Sequence, residues 1–312
     1  MPAELIEGLA AVLGAADITD LTRLSGGASR ETWRFEADGR PLILQRQREG
    51  DDRDMATEIA ALRAASAAGV PTATLVTAST DPTSLGAAYI ISARVAGETT
   101  PRKILRDEEF GRARQALPVQ LAQALATIHA IVPSEISGIV EIDQVDRYRE
   151  VLDTLGQPHP TFELAFRWLE ANRPPISSGV VVHGDFRLGN VIVDRDGLRA
   201  VLDWELVHLG DPMEDLGWLC VKAWRFGSPH PVAGVGEYQQ LIDAYEAASG
   251  CSVDSANVRW WEVLGTLKWG IMCIMQANAH LSGVTRSHEL AAIGRRVCEN
   301  EHDLFLALDG HW

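Results

Sequence analysis

Residues 183–203 read H-G-D-F-R-L-G-N-V-I-V-D-R-D-G-L-R-A-V-L-D, and this stretch decides how the rest of the chain is understood. Two short apolar β-type runs are joined by a turn at Asp196-Gly197. A tight Gly-containing turn lays antiparallel strands side by side, so the two ends of the stretch meet in space. Asp185 and Asn190, before the first strand, are thereby expected to approach Asp203, after the second. A carboxylate beside an Asn/Asp pair suits magnesium-dependent phosphoryl transfer. The Asn and one Asp supply hard oxygen ligands to Mg²⁺, and the other Asp orients an attacking hydroxyl and accepts its proton. Two competing explanations exist. His-Gly-Asp on its own is an ordinary turn with local side-chain to backbone bonds. Alternatively, His183, Asp185 and Asp203 could hold the metal of a hydrolase, which leaves Asn190 without a role.

The pattern H-x-D-x-x-x-x-N, followed by an L-D strand end and by D-P-M-E-D at residues 211–215, resembles the aminoglycoside phosphotransferase-like family. That family includes choline kinase-like enzymes and has a protein-kinase-like fold. The resemblance implies that Asp185 is the catalytic base, that His183 buttresses its loop, and that Asn190 and Asp203 hold the metal ions bridging the ATP phosphates. Asp215 is expected to brace the loop. Members of the family differ in acceptor, among aminoglycosides, choline, homoserine, sugars and hydroxyacyl thioesters. The form L-D-W-E-x-x-x-x-G-D-P-x-x-D-L-G-W resembles the kinase domains fused to acyl-CoA dehydrogenases more than the resistance enzymes.

The order of elements agrees. Residues 4–15 have helical spacing and end at Gly14. Residues 21–47 read as a three-stranded antiparallel meander turning at Gly26-Gly27 and at Asp38-Gly39. A helix from residue 54 to 68 stops at Gly69-Val70-Pro71, and another strand precedes a hinge at A-G-E-T-T-P. Helical patterns then dominate, over residues 108–132, 144–155, 159–172, 213–224, 236–249, 255–282 and 287–308. The expected fold is α+β and bilobal. Residues 1–97 form a small antiparallel nucleotide-binding lobe, and residues 98–312 a large, mainly helical catalytic and substrate-binding lobe.

In that frame the turn at Ser25–Ser29 would fold over a triphosphate, with backbone N–H groups of Gly26, Gly27 and Ser29 approaching its oxygens. Adenine would lie against residues 92–95, bonded by backbone groups near Ala93 and Val95, with Ile43 and Leu202 on its faces. The family's third strand ends in a Lys or Arg that grips the α- and β-phosphates and pairs with a helix glutamate. Here the glutamate position is Glu58, but the strand position is Gln45. An amide can donate to phosphate without supplying charge. Arg46 is expected on the opposite strand face, and Arg30 or Arg48 could supply a guanidinium instead. Gln45 also opens a second reading, a catalytically weak, pseudokinase-like nucleotide-binding module.

Composition sets the outer bounds. The 312 residues carry 46% hydrophobic and 23% charged side chains, which suits a large globular core. The net charge of −15 excludes nucleic acid as an expected partner. No apolar run approaches the roughly 20 residues that span a bilayer, and the acidic N-terminus is unlike a signal peptide. Cys220, Cys251, Cys273 and Cys298 form no C-x-x-C pair and are expected as buried thiols in a cytoplasmic protein. The expected partners are ATP, with GTP as an alternative, Mg²⁺, and a small molecule bearing a hydroxyl. No oligomeric state follows from the sequence.

Overall fold

The computed structural model describes residues 2–24, 30–48, 55–175 and 179–311. The expected glycine turn, with Gly26, Gly27 and Ser29, lies outside the described residues. Helix α1 (Pro2–Leu13) buries Leu5 and Leu9, one turn apart, against a five-stranded antiparallel sheet. Its strands are β1 (Ile18–Arg23), β2 (Arg30–Ala37), β3 (Arg40–Gln47), β4 (Leu75–Ser79) and β5 (Tyr89–Ala93), in the order β1-β2-β3-β5-β4. Asp38 and Gly39 both have positive φ, 49° and 73°, the backbone a two-residue hairpin turn demands. That turn sets the β2–β3 register, with Thr32 opposite Gln45 and Ala37 opposite Arg40.

Helix α2 (Met55–Ala67) ends at Gly69, as its stop signal predicts, and holds Glu58 buried beneath the sheet. β4 is an addition to the sequence reading. It is a short edge strand of partly exposed residues with no alternation to reveal it.

The hinge segment is more structured than expected, because Pro101 opens helix α3 (Pro101–Arg106) at its first position, where the missing N–H costs nothing. Just before it, Glu98 exchanges both backbone hydrogen bonds with Val193. Gly97 permits that crossing, since a Cβ there would lie 2.5 Å from Ile192 Cγ2.

Helices α4 (Gly111–His129), α5 (Gln144–Leu155) and α6 (Pro160–Ala171) follow. After them come β6 (Val180–Val182), β7 (Val191–Asp194), β8 (Gly197–Val201) and β9 (His208–Gly210). β7 pairs with β8 and β6 with β9, both antiparallel. The chain continues through α7 (Met213–Cys220), α8 (Tyr238–Ser249), α9 (Ser255–Leu281), α10 (His288–Gly294) and α11 (Val297–Leu308).

The apolar stripe Leu117, Leu121, Leu125 and Ile128 makes α4 the spine of the largest core cluster. Val263, Leu267 and Ile271 do the same for α9 in a second cluster. Two helical expectations are corrected. The run 213–224 is a helix only to Cys220, then a 3₁₀ turn at Lys222–Arg225. The run 287–308 breaks after Gly294, where a Cβ would stand 2.5 Å from Ala277 Cβ. Cys220 and Cys273 are buried, whereas Cys251 and Cys298 are exposed, contrary to the expectation for all four. No described helix is long and apolar enough to cross a membrane.

Candidate active site

The β7–β8 hairpin does what its sequence predicts. Val191 pairs with Val201, and Leu202 N–H donates to the Asn190 carbonyl at 2.8 Å, so Asn190 and Asp203 emerge at one end. Asp203 has φ +64°, a left-handed conformation rare outside glycine. Asn190 spends its amide protons on Asp185, donating from Nδ2 to the carbonyl at 3.0 Å and to Oδ2 at 2.6 Å. Its amide oxygen is thereby assigned the acceptor role that a hard cation requires.

Asp185 is nearly buried and heavily held. Its Oδ1 accepts from Trp218 Nε1 at 2.8 Å and from Arg187 Nε at 3.0 Å. The Arg187 guanidinium in turn lies over the Trp224 ring, 4.7 Å from its centroid. The loop is braced from below. Asp215 accepts the backbone N–H groups of His183 at 2.8 Å and Gly184 at 2.9 Å, and it meets His129 Nε2 at 3.2 Å. Burial raises the Asp215 pKa, but His129 and these donors outweigh it and hold the carboxyl below its usual value. Gly184 has φ +80°, and a Cβ there would strike the Leu206 carbonyl at 2.6 Å.

His183 accepts the Asp185 N–H at Nδ1 and donates from Nε2 to the Leu202 carbonyl at 3.0 Å. It ties the Asp185 segment to the residue before Asp203. Burial lowers its pKa, so the ring is neutral, in the tautomer this pairing needs. Both ring nitrogens are used, which removes His183 from the ligand set the hydrolase reading requires. Among the described residues no group of three or more His, Cys, Asp or Glu is arranged to hold a metal ion.

Above the hairpin lies a cavity of about 540 Å³ between the sheet and these loops. Gln45, Glu58, Ala93, Val95, Asn190 and Asp203 all line it, as do Ile43 and Leu202 on its apolar faces. Negative charge accumulates at its inner end. Burial, then Glu205, Asp185 and Glu58, push the Asp203 pKa up to about 7. A carboxylate crowded by three others suits a divalent cation, and Asn190 and Asp203 provide hard oxygens for one.

Arg46 points away from this cavity, bonded to Glu31 at 2.6 Å and to the Leu85 carbonyl at 3.1 Å. Arg30 points into it and pairs with Glu58. Sequence reasoning gave neither Arg187 nor Trp218 a place at Asp185. Arg187 lies two residues beyond Asp185. Trp218 lies three beyond Asp215, on the same face of α7, a spacing that could have flagged it.

Known proteins share this fold. A choline/ethanolamine kinase family protein from Mesorhizobium loti superposes with a TM-score of 0.69 at 19% identity, over 98% of this chain and 94% of that one. A spectinomycin phosphotransferase solved with ADP and spectinomycin also gives 0.69, at 14% identity and 98% coverage of both chains. The GDP complex of aminoglycoside 2'-phosphotransferase-IIIa gives 0.69 at 12% identity, over 95% of this chain and 97% of that one. These likenesses establish a bilobal, kinase-like α+β fold.

In sequence, the mouse acyl-CoA dehydrogenase family member 10 is 27% identical over 227 residues, 68% of this chain and 21% of that protein. The chicken family member 11 is 23% identical over 323 residues, 93% of this chain and 41% of that protein. The chain thus spans about a fifth to two fifths of the length of these relatives. The model of the phosphotransferase enzyme family matches residues 20–252, which include the sheet, the Asp185 loop and the Asp203 hairpin, and the chain belongs to that family of small-molecule kinases.

Proposed function

We propose that the protein transfers the γ-phosphoryl group of ATP, with GTP as an alternative donor, to a hydroxyl of a small molecule in a Mg²⁺-dependent reaction. The observation that carries this is the placing of Asn190 and Asp203 on the wall of one cavity, with Asp185 bonded directly behind Asn190 at 2.6 Å. Residues 1–97 would bind the nucleotide, with backbone groups near Ala93 and Val95 meeting the adenine, and residues 98–312 would bind the acceptor. Asn190 and Asp203 would hold Mg²⁺, which would supply positive charge to offset that of the nucleotide phosphates. Asp185 orients the acceptor hydroxyl and takes its proton at Oδ2 or Oδ1, while Trp218, Arg187 and Asn190 fix the carboxylate for that task. His183 keeps this loop in register with the metal-binding turn. Little covalent chemistry is required, because positioning and electrostatics lower the barrier.

A second cavity, of about 1140 Å³, adjoins the Asp185 loop and is our candidate for the acceptor site. Pro101 on its rim reaches toward Gly189, and Ala223 and Arg225 on its wall flank the Trp224 that carries Arg187. Arg102, Lys222, Arg225, Arg296 and His302 line it with Glu299 and Asp303; Lys222 pairs with Asp303, Arg296 with Glu299 and Arg225 with the buried Glu262, so the cationic excess is slight and sits at the exposed Arg102. That excess favours an acceptor with an anionic group, such as a hydroxyacyl compound, over a polycationic aminoglycoside.

The test is calorimetric titration of ATP and GTP, with and without Mg²⁺, into the wild type and Asp203→Ala, followed by acceptor screening. The expected result is Mg²⁺-dependent binding that Asp203→Ala loses, then phosphorylation of anionic hydroxy compounds. Binding without turnover on any acceptor would favour the pseudokinase-like reading that Gln45 motivates. Nucleotide affinity unchanged in Asp203→Ala would remove that residue from the metal site.

A further inference from the structure

We propose that Arg30, on β2, grips the nucleotide phosphates in place of the basic residue that β3 lacks at Gln45. The inference rests on the nucleotide-binding reading above. Thr32 stands opposite Gln45 in the β2–β3 ladder, and Arg30, Thr32, Gln45 and Ile43 all line the nucleotide cavity. Arg30 is two residues from Thr32, so it shares that face and occupies the diagonal position to Gln45, within reach for a side chain of its length. A positive charge moved from one strand to its neighbour can therefore serve the same space.

Three features of Arg30 point to an anionic ligand. First, it is 6% exposed and its Nη2 pairs with Glu58 of α2, the glutamate expected to anchor a phosphate-gripping cation. Second, Glu205 Oε2 lies 3.9 Å from the same nitrogen. Glu205 follows Asp203 by two residues, so the guanidinium is drawn to the metal-binding end of the cavity. Third, Arg30 Nε and Nη1 are buried with no hydrogen-bond partner among the described residues. Buried donors of a charged group are costly when unmet, and a guanidinium fork fits phosphate oxygens in two-point geometry. In sequence Arg30 directly follows residues 25–29, the stretch expected to fold over a triphosphate.

The alternatives on the same sheet are spoken for or misplaced. Arg46 is committed to Glu31 on the other face. Arg34 and Arg94 line the cavity from exposed positions, without a helix glutamate as partner in any hydrogen bond or ion pair of the described residues. Gln45 remains as a neutral donor beside the cation rather than as its replacement.

The test compares binding of ATP, ADP and adenosine, each with Mg²⁺, in the wild type, Arg30→Gln, Arg30→Lys and the exchange variant Arg30→Gln/Gln45→Arg. Thermal midpoints serve as a check on folding. Arg30→Gln is expected to weaken ATP and ADP by about tenfold or more, the worth of a charge-assisted hydrogen bond, and to leave adenosine unaffected. The exchange variant, which returns the guanidinium to β3 beside Glu58, is expected to recover most of the lost ATP affinity. Arg30→Lys should fall between them.

Equal losses for ATP and adenosine would mean that Arg30 only shapes the cavity, and would overturn the proposal. So would ATP affinity unchanged in Arg30→Gln while the wild type binds Mg-ATP, an outcome that leaves the kinase reading intact. If Arg30→Gln does not fold, failure of Gln45→Arg alone to strengthen ATP binding, together with wild-type ATP affinity in Arg30→Lys, would likewise refute it. A wild type that binds no nucleotide at all would overturn the functional reading itself.

Discussion

Asp185 has every carboxylate contact accounted for, and the chemistry assigned to it depends on that. Its two oxygens take three donors, from Trp218, Arg187 and Asn190, so its lone pairs are aimed before substrate arrives. Replacing it with Asn keeps the shape but removes the proton acceptor. Asp185→Asn should lower turnover by about 10²–10⁴-fold, the range for a positioned base, with ATP affinity nearly unchanged. Single-turnover assays beside calorimetry would check this, and wild-type turnover would dismiss Asp185 as the base. The grouping of Asp185, Asn190 and Asp203 was legible in sequence because a hairpin brings chain neighbours together. Arg187 and Trp218 were not, because what they touch depends on where α7 packs.

At the scale of elements, the meander, α2, α5 and α9 were readable from turn residues and apolar spacing. The short β4 and α3 were not, since elements this brief gain their stability from neighbours rather than from their own pattern. The α7–α9 crossing shows how tightly those neighbours are set. A Cβ on Gly217 would lie 2.6 Å from Trp261 Cβ and 2.8 Å from the Glu262 backbone nitrogen, and one on Gly265 would lie 2.7 Å from Val221 Cγ2. Backbone on one side leaves no flexible tip to give way. Gly217→Ala should therefore cost about 1–3 kcal/mol of stability, read as a lower urea midpoint. Activity should fall with it, because α7 carries both Asp215 and Trp218. An unchanged midpoint would show that the helices can separate at little cost.

For the molecule as a whole, buried titratable groups under the loop couple folding to pH. His183 has a depressed pKa when folded, so its contribution to stability is present above its unfolded value of about 6.5 and is lost as pH falls. Asp215 is depressed too, and its contribution is lost at lower pH, as the solution passes below the ordinary aspartate range. His208 acts in the opposite sense. Burial lowers its pKa, but Glu214 outweighs this and raises it, so protonation there favours the fold. Asp203 and Glu262, whose carboxyls burial pushes up to about 7, also favour the fold as pH falls over this window, so the His183 effect is read as a difference between two proteins. From pH 7 to 5.5 the thermal midpoint of His183→Gln, whose amide can keep both hydrogen bonds without titrating, should rise relative to that of the wild type. Parallel pH profiles in the two proteins would exclude His183 as a source of pH dependence.

The sequence by itself determined the two-part α+β layout, the family, and the grouping of Asp185, Asn190 and Asp203. Each of these depends on periodicity or on residues close along the chain. Only the tertiary structure decided that Arg30 and not Arg46 lines the cavity beside Gln45, that Trp218 and Arg187 hold the Asp185 carboxylate, and that a second cavity lies beyond Pro101. Those are contacts between segments tens of residues apart, and side-chain direction and packing, which no local pattern encodes, bring them together.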